Sequence, residues 1–238
     1  MRHGWLTSSD GWAGSRRSTV VLCLAQAGHG PAPFARWPSQ IDGVELCALR
    51  FPGDREPSWW AQHATIAAQA ADLAAELADP PAAQFALFGQ GSSALIVYEA
   101  AGLLLRTAGP APCRLFVSGC PAPSRARRLG PQPDISQLEE RALTTCLDYG
   151  GNPLPSLLWA TVRAMTAEAA AMLVYEPPAA SWPAVPIDAV SWNQDPAADL
   201  AAMADWETYG PTELMTLEGS EHSYRHASDE LLKLFTRA

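Results

Sequence analysis

Three short stretches of this sequence bring together residue types that can do chemistry: the turn Gly89-Gln90-Gly91-Ser92-Ser93, the dipeptide Asp195-Pro196, and the dipeptide Glu221-His222. An imidazole such as His222 moves protons near neutral pH, and a carboxylate such as Asp195 fixes its tautomer and steadies its charged form. The turn lies between an apolar run, Phe85-Ala86-Leu87-Phe88, and a helix-forming run, Ala94-Leu95-Ile96-Val97-Tyr98-Glu99-Ala100-Ala101. A strand that enters a sharp turn and leaves it as a helix is the frame of a nucleophile elbow, G-x-S-x-G, whose nucleophile stands at the tip. The helix N-terminus then faces the reacting oxygen. Here the tip is Gly91, flanked two residues away on either side by the small Gly89 and Ser93. Glycine has no atom that can form an acyl-enzyme, so the covalent route is closed at that position.

Two other readings of the turn stand beside this one. Ser92 is a candidate displaced nucleophile, but its flanks would be Gln90 and Ala94, and glutamine fits the cramped turn poorly. A strand-to-helix turn rich in glycine and serine also occurs without any catalytic role. Asp195 similarly suits a second task, as N-cap of a helix whose first residue is Pro196. His222 is preferred to His226, which falls near the start of the last helix and is expected to be exposed. Cys120 follows an apolar strand and is read as a buried, inert thiol rather than a nucleophile. Lys233 is the only lysine. It sits in a polar C-terminal helix away from these motifs, so a lysine Schiff base is excluded.

Alternating strands and helices must position these residues. Residues 18–24 and 43–51 read as strands, because β-branched and apolar residues cluster between turn formers. A helix is expected from about Ala64 to Ala78, with Ile66, Ala70, Leu73 and Leu77 at helical spacing. After the strand and helix around Gly91 come strands at 113–118, 187–192 and 213–217, then a helix at 228–235. Strands separated by helices imply a mostly parallel sheet covered on both faces. Between Pro121 and Pro186 this alternation breaks into helical segments around 135–149 and 154–173, read as a lid insertion over the site. Trp59, Trp60, Trp159 and Trp182 suit an apolar acyl pocket or lid, although large aromatics mostly serve cores.

Composition bounds the rest. A chain of 238 residues can bury one large core, and residues 18–238 are read as one domain. Residues 1–17 lack the continuous apolar stretch of a secretory signal and are expected to form a poorly ordered leader. The five cysteines form no C-x-x-C pair, which suits reduced thiols in a cytoplasm and speaks against a metal site. A net charge of −9, with Arg125, Arg127 and Arg128 as the main basic cluster, argues against a nucleic-acid surface. No apolar run approaches the roughly 20 residues needed to span a membrane.

From about Ser18 to Phe235 the chain resembles the type II thioesterases that accompany polyketide and nonribosomal peptide synthases. The resemblance is carried by Leu24-Ala25-Gln26-Ala27-Gly28-His29, Phe51-Pro52-Gly53, Phe85-Ala86-Leu87-Phe88-Gly89, Arg114-Leu115-Phe116-Val117-Ser118-Gly119, Asp195-Pro196 and His222. It implies an α/β-hydrolase fold, with the triad order of nucleophile, acid and histidine. It further implies that Asp195 and His222 are acid and base, and that the backbone N–H groups of Ala27 and Ser92 form an oxyanion hole. Gln26, His29 and Gln90 then line the same site. The expected partner is an acyl or peptidyl carrier protein bearing a phosphopantetheine-bound acyl chain, or the released small molecule, and no cofactor is implied.

The departures surround one pocket. The family's G-H-S-M-G is Gly89-Gln90-Gly91-Ser92-Ser93, a glycine of its first loop is His29, and its G-D-x-D-P is Trp192-Asn193-Gln194-Asp195-Pro196. The leading expectation is a repurposed enzyme in which His222, oriented by Asp195, performs acid–base chemistry on an acyl intermediate. That chemistry would be elimination, cyclisation, isomerisation or direct hydrolysis. The alternatives are a serine thioesterase using Ser92 and a non-catalytic protein that binds a carrier or an intermediate.

Overall fold

The computed structural model describes residues 4–6, 19–80, 82–107, 109–126, 134–148, 154–178 and 185–238. Its strands are β1 (Thr19–Leu24), β2 (Gln40–Ile41), β3 (Val44–Ala48), β4 (Gln84–Gln90), β5 (Leu115–Ser118), β6 (Ile187–Trp192) and β7 (Thr212–Leu217). They form one sheet in the order β2-β3-β1-β4-β5-β6-β7. All neighbours run parallel except the short edge pair β2 and β3. Parallel pairing places the chain leaving β1, β4, β6 and β7 at one end of the sheet, where α/β proteins build their sites.

The helices are α1 (Ser58–Gln62), α2 (Ile66–Glu76), α3 (Ser93–Arg106), α4 (Pro123–Ala126), α5 (Ile135–Asp148), α6 (Pro155–Leu173), α7 (Leu200–Ala204) and α8 (Asp229–Phe235). Strand β4 shows how they cover both faces: Phe85 and Leu87 pack into the core beneath α2 and α3, while Ala86 and Phe88 pack with α8. The two-residue period of a strand sends alternate side chains to opposite faces. Because both faces are buried, β4 reads as a continuous apolar run. On the α8 side, Phe235 meets Phe88 and Phe116 edge-on, with ring centroids 5.5 and 5.0 Å apart. The capping hydroxyls of Thr65 and Ser228 accept backbone N–H groups at the starts of α2 and α8, which sets where each helix begins.

The expected alternation of elements is present, with β2, α1, α4 and α7 as short additions that lack a sequence signature of their own. The two-residue β2 is too short to show alternation. Helix α1 carries Trp59 and Trp60, both buried against Phe51, so these two tryptophans serve the core rather than an acyl pocket. Trp159, by contrast, is exposed on α6, and Trp182 lies outside the described residues. Helices α5 and α6 form the inserted layer between β5 and β6, packed on each other through Leu138, Ala142, Val162 and Met165.

The expected loose leader needs correction at residues 4–6. Trp5 is fully buried, packs tilted against Phe51 and edge-on to Trp59, and donates its indole N–H to Asp72 at 3.0 Å. Its carbonyl accepts the Arg50 N–H, and Leu6 bridges to Leu49. A tryptophan amid glycines, serines and arginines reads as polar chain because its binding partners are distant in sequence. The rest of the expected leader lies outside the described residues. No helix among the described residues is long and apolar enough to cross a membrane.

Candidate active site

The turn after β4 is built as an elbow. Gly91 adopts φ +59°, and its N–H donates to the Ser118 carbonyl at the end of β5. That left-handed conformation suits glycine and is strained for any side chain. Gly89 is required for closeness instead, since a Cβ there would stand 2.6 Å from the Ala94 Cα. Ser93, fully buried, donates its hydroxyl to the Ala25 carbonyl at 2.8 Å. This bond ties the start of α3 to the loop after β1. The two segments expected to carry oxyanion donors, around Ala27 and Ser92, are thus held side by side.

Helix α6 roofs that loop. A Cβ on Gly28 would lie 3.0 Å from Met165 Cγ and 3.1 Å from the Thr161 carbonyl. Three residues beyond Met165, on the same helical face, Glu168 turns its carboxyl into the site and accepts a short hydrogen bond from the Ser92 hydroxyl. Burial pushes the Glu168 carboxyl up to about 7. The Ser92 hydroxyl, the Arg141 guanidinium of α5, the Gln26 amide and the Ala27 backbone N–H oppose that shift, because each favours the charged form. One of the expected oxyanion donors, Ala27, therefore faces a carboxylate of the protein itself. Sequence reasoning passed over Glu168. The signal was present, in that Thr161, Ala164, Met165 and Ala171 mark the buried stripe of α6, and an acidic residue at position 168 falls on it.

Asp195 follows β6 and is buried. Its Oδ1 accepts the N–H groups of Ala197 and Ala198 at 3.0 and 3.3 Å, so it is the N-cap of the short helical turn Pro196–Ala198. Its Oδ2 is buried with no hydrogen-bond partner. His222 follows β7, and its Nε2 stands 3.5 Å from the Glu221 carboxylate. The expected hydrogen bond from His222 to Asp195 Oδ2 is therefore not made in this arrangement; the imidazole is partly exposed and turned to its chain neighbour. His226 is exposed, as expected.

Gln90 and His29 reach the loop that carries His222. Gln90 is buried and donates its amide to the Glu221 carbonyl at 2.9 Å. Its amide nitrogen and Asp195 Oδ2 both border Gly119, where an added Cβ would meet them at 2.7 and 3.6 Å. The His29 ring lies 6.2 Å from that of His222 and contacts the Tyr224 hydroxyl and the Thr145 hydroxyl of α5, each at 3.4 Å. Cys120 is buried beneath the site, and burial, reinforced by the Glu168 and Asp195 charges, pushes its thiol well up. A thiol held protonated is a poor nucleophile, in keeping with the inert reading.

The model of the thioesterase domain family matches residues 19–207. The medium-chain S-acyl fatty acid synthase thioesterase of Rattus norvegicus is 36% identical over 138 residues, which are 56% of this chain and 51% of that protein. The match thus spans about half the length of that relative. Thioesterase PikA5 of Streptomyces venezuelae is 27% identical over 222 residues, 86% of this chain and 74% of that protein. Among solved structures, the type II thioesterase BorB from the borrelidin biosynthetic cluster superposes with a TM-score of 0.75 at 23% identity, covering 98% of this chain and 96% of that one. That likeness speaks to the fold. The family match covers most of the domain, from β1 past the Asp195 loop, and on that ground the chain belongs to the thioesterase domain family.

Proposed function

We propose that this protein is a type II thioesterase-like enzyme of polyketide or nonribosomal peptide assembly. It acts on acyl groups held as thioesters on the phosphopantetheine arm of a carrier protein, by acid–base chemistry and without an acyl-enzyme at the elbow tip. The observation that carries the reading is the elbow itself: Gly91 holds the left-handed φ +59° turn while presenting no nucleophile. A turn kept in that conformation, with Ser93 tying it to the Ala25 loop, retains the backbone donors that stabilise a carbonyl oxygen. In this reading those donors are the Ala27 and Ser92 N–H groups. His222 exchanges protons with the reacting group. Asp195 Oδ2, buried and without a partner, accepts an imidazole N–H once the ring turns from Glu221. The names of the relatives, thioesterases of a fatty acid synthase and of a biosynthetic cluster, support the substrate class.

Intact-protein mass and product analysis after incubation with acyl-pantetheine and acyl-carrier substrates test the reading. Turnover without a covalent adduct, lowered by orders of magnitude in His222→Ala, is the expected result. An adduct on Ser92 would sink it and favour a second reading, a serine thioesterase displaced by one residue. One observation supports that alternative: the Ser92 hydroxyl donates to a carboxylate able to take its proton.

A further inference from the structure

The thioesterase reading assigns proton transfer to His222, yet the carboxyl bonded to the expected oxyanion segments is that of Glu168. Glu168 comes from α6, the inserted layer, and its carboxyl meets Ser92 from the elbow and Gln26 and Ala27 from the β1 loop. Gln26 in turn borders the side of Gly91 where a Cβ would stand, 3.2 Å from its Cδ. The carboxylate, the amide and the nucleophile-free tip thus form one cluster from three separate elements. Among the described residues, the charged and titratable groups that face Glu168 are Arg141 of α5 and Cys120 after β5.

The geometry points to Glu168 as a general base of this site, taking a proton from the water that attacks the acyl carbon beside Gly91. This assignment rests on the hydrolytic form of the reading above. When the acyl carbonyl enters, its oxygen displaces the carboxylate from Ala27, leaving Glu168 on Ser92 and Gln26. The water oxygen bonds to the carbonyl carbon as one water proton passes to Glu168. The carbonyl electron pair moves onto the oxygen held by the Ala27 and Ser92 N–H groups. On collapse the C–S bond breaks, its pair leaves on sulfur, and the sulfur takes a proton from His222. Glu168 then returns its proton to solvent and His222 regains one, so thioester and water become acid and thiol. A carboxyl titrating at about 7 suits the task, because a base works best with a pKa near the working pH.

The test follows hydrolysis of butanoyl- and octanoyl-pantetheine by the full chain from pH 5 to 9, with Glu168→Gln, Glu168→Asp and His222→Ala, each checked for folding by circular dichroism. Glu168→Gln is expected to lose about 10²- to 10⁴-fold in kcat/KM and the limb that rises through neutral pH. Glu168→Asp keeps that limb at a lower rate, and His222→Ala keeps it while losing turnover. Full activity in Glu168→Gln with loss in His222→Ala overturns the assignment and leaves the reading intact. The reverse overturns the role of His222 and leaves Glu168 in place. A rise in activity for Glu168→Gln, which would mark the carboxylate as an obstruction, overturns the assignment, as does an adduct on Ser92. No turnover by the unaltered protein overturns both.

Discussion

Gly91 and Gln26 confront each other across the mouth of the elbow: a Cβ built on the glycine would lie 3.2 Å from Gln26 Cδ and 3.3 Å from its Oε1. The same amide reaches the Glu168 carboxyl. The space that a side chain at the elbow tip would enter is therefore bordered by a glutamine and, behind it, by a carboxylate from the inserted helices.

Gly91→Ser is expected to fold and to gain covalent reactivity. The left-handed backbone at this position costs a side chain about 1–2 kcal/mol, and Gln26 must give way by a few tenths of an ångström, which the end of a flexible side chain does readily. Thermal unfolding should register the modest loss. An alkyl fluorophosphonate should label the variant at position 91 and leave the parent protein unlabelled. An unlabelled variant would mean that the oxyanion donors are no longer aligned.

Asp195→Asn and Asp195→Ala separate capping from charge. Asparagine caps as well as aspartate does, so its stability should match the parent's, whereas alanine forfeits the bonds to Ala197 and Ala198 and should cost about 1 kcal/mol. Both should lose turnover, because neither can balance an imidazolium. Full activity in the asparagine variant would remove the Asp195 charge from the chemistry.

Stability should depend on pH through Glu168. Its folded pKa of about 7 lies above the ordinary 4.5, so the folded state holds a proton that the unfolded chain gives up. The contribution is whole below 4.5 and is lost as pH rises through 7. Glu168→Gln cannot ionise, so urea denaturation should show the variant gaining on the parent between pH 5 and pH 8, by up to about 3 kcal/mol. Asp54, raised by burial to about 6 against the opposing Arg50 charge, contributes a second loss that this variant leaves in place.

Trp5→Ala should be among the most damaging single changes, at about 3–5 kcal/mol. It empties a fully buried site between Phe51 and Trp59 and removes a hydrogen bond to Asp72. Chemical denaturation gives the measurement, and a loss under 1 kcal/mol would show that residues 4–6 do not contribute to the core.

The sequence by itself determined the frame. Runs rich in apolar and β-branched residues bounded by turn formers marked β1, β4, β5 and β6, because strands buried on both faces are mostly apolar. The elbow turn was legible because its small residues fall within one five-residue stretch, and the Asp195 and His222 loops were legible because each comes soon after a strand. Local patterns survive reading one segment at a time. Tertiary structure alone decided who meets whom. Trp5 looked like leader until Asp72 and Phe51 surrounded it, and Gln90 gave no sign in the sequence that it would bond the Glu221 carbonyl. His222 and Asp195 have the right order, yet the structure turns the ring to Glu221. Above all, Glu168 lies 76 positions from Ser92, on a helix whose seat over the β1 loop depends on packing between Met165 and Gly28. Side-chain chemistry can be read from residue type, but a carboxylate becomes part of a site only when packing between distant elements delivers it there.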